Sequence, residues 1–451
     1  MKGNQMKKWK AGLRIAFVLV APLVISALLH AQMVMMDHDG PRVKTLEIHA
    51  DNTVTFRLYS PKASTVTLSC DWPEGINSTV VPMVKDDQGV WSATIGPMQP
   101  DVWFYFFTVD GAHVIDDGNS HTGFDGAYFS EFVVPGPGAE TFYVHDVPHG
   151  TVSEVWYPAP SIGQERRRAI VYTPPGYETS KDRYPVLYLL DNDEMVWMRR
   201  GRAAIILDNL IASGKAKPMI VAIADGGYKD PASSDYLDVE LPSTKDRLMG
   251  GTGQVSAPKI DNPLGVKLFQ GGGGGELDET RLRVGQSVAK DLVPFIDQRY
   301  RTIADRYHRA TLGASSPGAE IFYGAMTNVK TFAWIGIIAG GFPTLPGVGQ
   351  WGKIPDNYAQ FFAGPDLVRT VDPAKLAALL PDMNPSANLR MLYLAVGKND
   401  SLWNTQQTVK QLLDQKGMKY TAREIDGYHH AWRFFRWGLN DYAQLLFQEA
   451  K

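Results

Sequence analysis

The chain has 451 residues, 44% of them hydrophobic and 21% charged, a balance that excludes intrinsic disorder and leads us to expect two or three globular units. Its first 31 residues hold five of the 45 basic residues and none of the 48 acidic ones, so the remainder carries 40 against 48, a net of −8. An acidic surface gives no electrostatic ground for binding nucleic acid, and none is expected as a partner.

Residues 1–31 stand apart. Lys2, Lys7, Lys8, Lys10 and Arg14 precede an apolar run from Ile15 to Leu29, which ends at Leu29-His30-Ala31-Gln32. A basic start, a short apolar stretch and a small residue at the boundary predict a secretory signal peptide. The competing reading is an uncleaved anchor, but the run is short beside the ~20 residues a spanning helix needs. The expectation is an exported protein, periplasmic or extracellular, with no stable membrane association after signal removal.

Residues 38–138 read as an all-β sandwich. Val54–Tyr59, Thr65–Cys70, Val90–Ile95 and Trp103–Val109 are short, β-branched and aromatic, and turn clusters such as Asp110-Gly111 separate them. Cys70 is the only cysteine, which excludes an internal disulfide. Its place in an alternating strand predicts a small core residue. Trp72, Trp91 and Trp103 are candidates for stacking on sugar. The alternation around Trp91 and Trp103 favours core packing instead. Val134-Pro-Gly-Pro-Gly138 is a linker signal.

From residue 150 to 451 the rhythm is that of an α/β fold. Ala169–Tyr172, Val186–Leu190 and Met219–Ala224 are strand-like, and a helix over Ala203–Ile211 falls between the last two. Nearly continuous apolar strands alternating with helices predict a doubly wound parallel sheet. Residues 226–276 interrupt this with a polar, Gly- and Pro-rich stretch ending in Gly271–Gly275. No Gly-Lys-Ser/Thr follows, so the glycines are not a phosphate loop and read as a hinge. A helix over Ser287–Asp297, strands at Arg309–Leu312, Leu389–Val396 and Tyr420–Ile425, and a closing aromatic helix from Ala431 to Phe447 complete the pattern.

Three elements carry chemistry. Gly313-Ala314-Ser315-Ser316-Pro317-Gly318 lies where a strand turns into a helix. Acyl-transfer folds put a nucleophilic serine on such a turn, flanked by small residues, with the helix N-terminus facing a developing oxyanion. The frame gives Ser315; Ser316, with Gly318 two residues on, is the rival. The N–H of Ser316 is an oxyanion-donor candidate. Asp400, in Gly397-Lys-Asn-Asp400 after a late strand, is placed to orient an imidazole, or else to cap the next helix. One of His429 and His430 is placed to take the serine proton. The order Ser, Asp, His is the one this fold class uses. No metal-binding pattern and no cofactor motif are found.

The chain resembles the esterase D-like α/β-hydrolases, which include feruloyl and acetyl carbohydrate esterases and enterochelin esterases. The likeness rests on Asp146-Val-Pro-His-Gly150, Val171-Tyr-Thr-Pro-Pro-Gly-Tyr177, Gly201-Arg-Ala203, Leu207–Ala212, Lys215–Met219, Arg309-Ala310 and the tail His430-Ala-Trp432-Arg-Phe-Phe435-Arg436. That tail is similar to the family's His-x-Trp-x-x-Trp-Arg and implies His430, not His429, as the base. The sandwich resembles the immunoglobulin-like, starch-binding-type module joined to such enzymes. The resemblance implies a Ser315–Asp400–His430 esterase needing no metal or cofactor. Its substrate would be an acyl or aryl ester of a carbohydrate, with a siderophore-type ester as the alternative. It also implies a second oxyanion N–H in the loop after Leu190. There the family has His-Gly and this chain has Asp191-Asn192-Asp193, placing Asn192 as the candidate. The enterochelin-esterase branch also carries an Asp at this place. Pro317 replaces the expected second glycine of Gly-x-Ser-x-Gly. These two departures motivate a reading from another class, a degenerate hydrolase fold that binds a carbohydrate or other ligand without turnover.

Overall fold

The computed structural model describes residues 41, 43–73, 79–124, 128–191, 195–225, 276–345, 348–351, 369–380 and 388–448. The signal peptide over 1–31, the glycine run and Asn192 lie outside the described residues. Among the described residues no helix is long and apolar enough to cross a membrane.

The N-terminal strands are β1 (Leu46–Ile48), β2 (Val54–Tyr59), β3 (Val66–Cys70), β4 (Thr79–Pro82), β5 (Val84–Lys85), β6 (Val90–Ile95), β7 (Asp101–Val109), β8 (Ala112–Val114), β9 (Thr122–Phe124) and β10 (Tyr128–Val134). They make two antiparallel sheets, in the orders β1-β2-β6-β5 and β4-β3-β7-β10-β9, with β8 on β7. Their facing sides bury Phe56, Leu68, Cys70, Trp91, Trp103, Tyr105 and Phe107 in one cluster. Trp91 is 7% and Trp103 1% exposed, so both fill the core. Their indole N–H groups donate to the carbonyls of Ser60 and Gln99. Trp72 is half-buried at the rim and donates to Gln99 Oε1.

β7 explains how the two halves join. A strand turns successive side chains to opposite faces. Trp103, Tyr105 and Phe107 point into the sandwich core, whereas Val102, Phe104 and Phe106 belong to a second cluster. That second cluster also contains Trp197, Leu207, Trp432 and Phe435 from the C-terminal half. A run of seven buried residues from Asp101 to Phe107 is thus apolar on both faces because both are covered. The linker is pinned as well: Ala139 and Phe142, just beyond Gly138, are buried in the same cluster.

The C-terminal half is an eight-stranded sheet. Its strands are β11 (Thr151–Ala159), β12 (Gln164–Thr173), β13 (Val186–Asp191), β14 (Ile220–Asp225), β15 (Arg309–Ala314), β16 (Trp334–Ile338), β19 (Met391–Gly397) and β20 (Thr421–Ile425). The order is β11-β12-β14-β13-β15-β16-β19-β20. A separate pair, β17 (Gly349–Trp351) and β18 (Arg369–Val371), is antiparallel. From β14 to β20 all neighbours are parallel. β12 runs antiparallel to both β14 and β11, which corrects the expectation of a wholly parallel sheet. The cause is local. β11 and β12 are joined by the short turn Pro160–Ile162, and so short a connection permits only an antiparallel pair.

Both faces of the sheet are buried. In β13, Val186, Tyr188 and Leu190 enter one apolar cluster and Leu187 and Leu189 the other. The helix expected over Ser287–Asp297 is longer. It runs from Glu276 to Ser287, passes through a π turn at Val288–Leu292, and continues over Val293–Arg299. Pro294 has no N–H to return to the preceding turn, which accounts for the irregular hydrogen bonding just before it.

Candidate active site

The chemistry gathers at the C-terminal ends of β15, β19 and β20, the edge of an open parallel sheet where α/β folds place ligands. β15 ends at Ala314 in extended conformation, and the helix Ser315–Met326 starts at the next residue. Ser315 has φ of +55°. This left-handed backbone costs a non-glycine residue about 1–2 kcal/mol and is kept only where surroundings enforce it. Two close backbone approaches enforce it here. A Cβ on Gly313 would lie 2.8 Å from Gly318 Cα, and a Cβ on Gly341 would lie 2.6 Å from Ser316 N. Gly341 also donates its N–H to the Ser315 carbonyl at 2.6 Å.

Pro317 therefore has a structural explanation. The glycine that lets the helix cross the strand is Gly318, whose own added Cβ would meet Gly313 O at 2.8 Å. Pro317 sits buried in the first helical turn, where a missing N–H leaves no partner unsatisfied. The Ser316 N–H lies in that same turn, among the four without an intrahelical acceptor.

Asp400 and His430 arrive on two loops stitched together by their backbones. Lys398 N–H donates to Ile425 O at 2.9 Å and Asn399 N–H to Tyr428 O at 3.2 Å. The crossing requires Gly397, since a Cβ there would fall 2.1 Å from Tyr428 O. Asp400 is 0% exposed. Its Oδ1 accepts from Leu402 N–H at 2.8 Å, so it closes the turn ahead of the next helix as well as meeting the histidine.

His430 closes the set. Its Nδ1 lies 2.9 Å from Asp400 Oδ2 and 3.1 Å from Oδ1, and its Nε2 lies 2.9 Å from Ser315 Oγ. A carboxylate can only accept, so Nδ1 carries the proton and Nε2 is left to accept from the hydroxyl. The ring of Phe435 meets the imidazole edge-on at 5.2 Å. A hydroxyl, an imidazole and a carboxylate in this sequence of contacts have the geometry that a nucleophile, a base and an orienting group require.

The other candidates sit elsewhere. Among the contacts described, His430 Nε2 meets Ser315 and not Ser316. His429 turns toward the sandwich. It lines a cavity of about 10 Å³ with Asp71, Trp103, Tyr428 and Arg433, the room one water needs. Burial pushes the Asp71 carboxyl up to about 6 despite the guanidinium of Arg200, and it raises the Tyr428 phenol. Asp191 ends β13, level with Asp225 of β14, one residue beyond the Leu190–Gly313 pair; Asn192 lies outside the described residues.

Sequence reasoning missed two supports. One is Gly341, whose signal was a Gly-Gly pair one residue beyond the apolar strand β16. The other is the set of arginines that ties this site to the sandwich. Their partners lie more than 100 residues away, so no local pattern announces them.

Comparison with known proteins adds the following. The family model "Carbohydrate-binding module 48 (Isoamylase N-terminal domain)" matches residues 45–126. The model "Putative esterase" matches residues 160–254. An endo-1,4-beta-xylanase/feruloyl esterase of Xylanibacter ruminicola is 30% identical over 304 residues, 65% of this chain and 36% of that protein. The chain thus spans about a third of the length of this relative. Two solved structures share the fold over both halves. The enterobactin esterase of Shigella flexneri, in the presence of 2,3-di-hydroxy-N-benzoyl-serine, has a TM-score of 0.56 at 15% identity, covering 92% of this chain and 99% of that one. The ferric enterobactin esterase of Salmonella typhimurium has a TM-score of 0.53 at 14% identity, covering 92% and 98%.

Proposed function

We propose that this chain, which matches a carbohydrate-binding module 48 model over residues 45–126 and a putative esterase model over residues 160–254, is an exported serine hydrolase of carboxylic esters. The observation that carries the reading is the contact of Ser315 Oγ with His430 Nε2 at 2.9 Å, backed by Asp400 on Nδ1. A strained serine held against a buried imidazole–carboxylate pair supports turnover over binding alone.

In this reading Ser315 Oγ attacks the ester carbonyl carbon as its proton passes to His430 Nε2. The carbonyl oxygen becomes an oxyanion, held by the Ser316 N–H and, in the sequence assignment, by the N–H of Asn192. Collapse breaks the ester C–O bond, and His430 returns the proton to the departing alkoxide. Water, deprotonated by the same imidazole, then attacks the acyl-serine. The acid leaves and Ser315 regains its proton. Asp400 keeps the imidazole in the working tautomer and stabilises its charged form.

The proposed substrate is an acyl or aryl ester on a carbohydrate. The module match and the feruloyl esterase named in the similar Xylanibacter protein support that class. A second reading, a siderophore-type ester, is favoured by the fold shared with enterobactin esterases over 92% of the chain, sandwich included. Hydrolysis of methyl ferulate, an acetylated xylo-oligosaccharide and enterobactin by the purified protein, beside Ser315→Ala and Ser316→Ala, tests both. Turnover of a carbohydrate ester, abolished by Ser315→Ala and retained by Ser316→Ala, is the expected result. Turnover of enterobactin alone selects the second reading. Turnover that survives Ser315→Ala refutes the mechanism.

A further inference from the structure

We propose that the sandwich is a working part of the hydrolytic site, and that Asp101 at the start of β7 is a positioning residue that holds His430 in place through Arg436. The proposal rests on the roles given above to Ser315, His430 and Asp400.

Arg436 is 1% exposed and lies in the second turn of the helix Trp432–Leu445, which begins two residues after His430. Its Nε and Nη2 donate to Asp101 Oδ1 at 3.2 and 2.8 Å. Nη2 donates also to the Val102 carbonyl at 2.6 Å, and Nη1 to the Arg200 carbonyl at 2.9 Å. Arg433, one turn earlier, brings its Nε to 3.3 Å from Asp101 Oδ2. One buried sandwich carboxylate therefore grips two arginines of the helix that follows the base.

The same guanidinium reaches the segment that follows β13. Arg200 lends its carbonyl to Arg436. Its own side chain lies 3.4 Å from Asp71 Oδ2, and its guanidinium covers the rings of Phe104 and Phe129 at 4.5 and 5.2 Å. Trp197 of this segment packs edge-on against Trp432 at 5.3 Å, and Trp432 against Phe435 at 5.4 Å. Phe435 is the neighbour of Arg436 in the chain and the ring that meets the imidazole. Fixing Arg436 fixes the helix turn that carries Phe435, and with it one side of His430.

An interface that served cohesion alone would gain little from this pair. Withdrawing two charges from water costs as much as their attraction returns, and such pairs are best justified where a single arrangement must be specified. A proton transfer is such a case, because a displacement of about 1 Å can lower a rate by about 10².

The test uses p-nitrophenyl acetate, which carries no sugar for the module to bind. Four variants of the full chain are compared with wild type: Asp101→Ala, Asp101→Asn, Arg436→Lys and Asp116→Ala. The last removes a buried aspartate of the sandwich that contacts only sandwich residues. For Asp101→Ala the proposal expects kcat to fall about 30-fold with KM within about twofold. The far-downfield proton resonance of His430 Nδ1–H against Asp400 should broaden or vanish. Asp101→Asn keeps the shape and an acceptor oxygen, and it should recover kcat to within about fivefold of wild type. Asp116→Ala should lower the melting temperature and leave kcat alone. A folded Asp101→Ala with unchanged kcat and an unchanged resonance overturns the proposal, as does an equal fall in kcat for Asp116→Ala. If Asp101→Ala does not fold, Arg436→Lys decides: a fall in kcat of about tenfold or more with a broadened resonance supports the proposal, and wild-type values of both overturn it. A wild type that hydrolyses nothing refutes the underlying assignment of Ser315. The resonance in Arg436→Lys then decides the positioning claim by itself: broadened or lost, it supports the claim, and unchanged, it overturns it.

Discussion

Two aspartates, one in each half, are equally buried and do different things. Asp116 in the sandwich and Asp400 in the α/β half are both 0% exposed. Asp116 accepts from Tyr105 OH at 2.6 Å and Gly118 N–H at 2.9 Å, and its own N–H donates to Ser130 Oγ. Burial and the neighbouring carboxylate push the Tyr105 phenol far above its usual range. The Tyr105 hydroxyl that donates to Asp116 thus keeps its proton at ordinary pH. Asp400 faces an imidazole, and the far side of that imidazole meets a hydroxyl on a strained residue. Burial alone does not make a carboxylate functional. A titratable partner with a second, reactive contact does.

The comparison breaks most sharply at Asp400. Asp400→Asn keeps the shape but favours the wrong imidazole tautomer, and kcat is expected to fall about 10⁴-fold while the fold persists. Steady-state kinetics beside a melting curve check this, and a loss under tenfold would make Asp400 no more than a turn-closing acceptor. The next effect belongs to Asp71, whose folded value of about 6 stands above the ordinary aspartate value of 3.8. A raised acid binds its proton more tightly in the folded state. The stability this contributes is complete below pH 3.8 and is lost as pH rises through about 6. Urea titrations from pH 4 to 7 should show a decline of up to about 3 kcal/mol that Asp71→Asn removes. The smallest effect is Asp116→Ala, which leaves buried donors unpaired and should cost about 1–3 kcal/mol of stability with kcat unchanged for the folded fraction.

Much of this was legible before any coordinates. Ser315, Asp400 and the His429-His430 pair could be picked out because each follows a strand and because their order fits one fold class. Pro317 looked like a defect because the pattern was read in one dimension. The close approach of helix and strand falls one residue later, at Gly318, which only the crossing geometry reveals. Trp103–Val109 was read as a sandwich strand with Trp103 in the core, and its second covered face follows from the seven buried residues Asp101–Phe107. Asp101 gave no signal, and Arg436 stood only as the end of the tail motif, with nothing to point to its partner. They stand 335 residues apart, and an ion pair between two halves leaves no local periodicity. The antiparallel edge made by β11 and β12 went unread because β11 alternates exposed and buried residues and lacks the apolar run that marks the central strands.

The central claim is that Ser315 is a nucleophile activated by His430, and covalent capture tests it most directly. The protein is treated with a fluorophosphonate, digested and mapped by mass spectrometry, beside Ser315→Ala, Ser316→Ala and Asp400→Asn. The account predicts one adduct, on the peptide carrying Ser315, abolished in Ser315→Ala, retained in Ser316→Ala and formed far more slowly in Asp400→Asn. An adduct on Ser316, or a folded wild type that takes none, would contradict it.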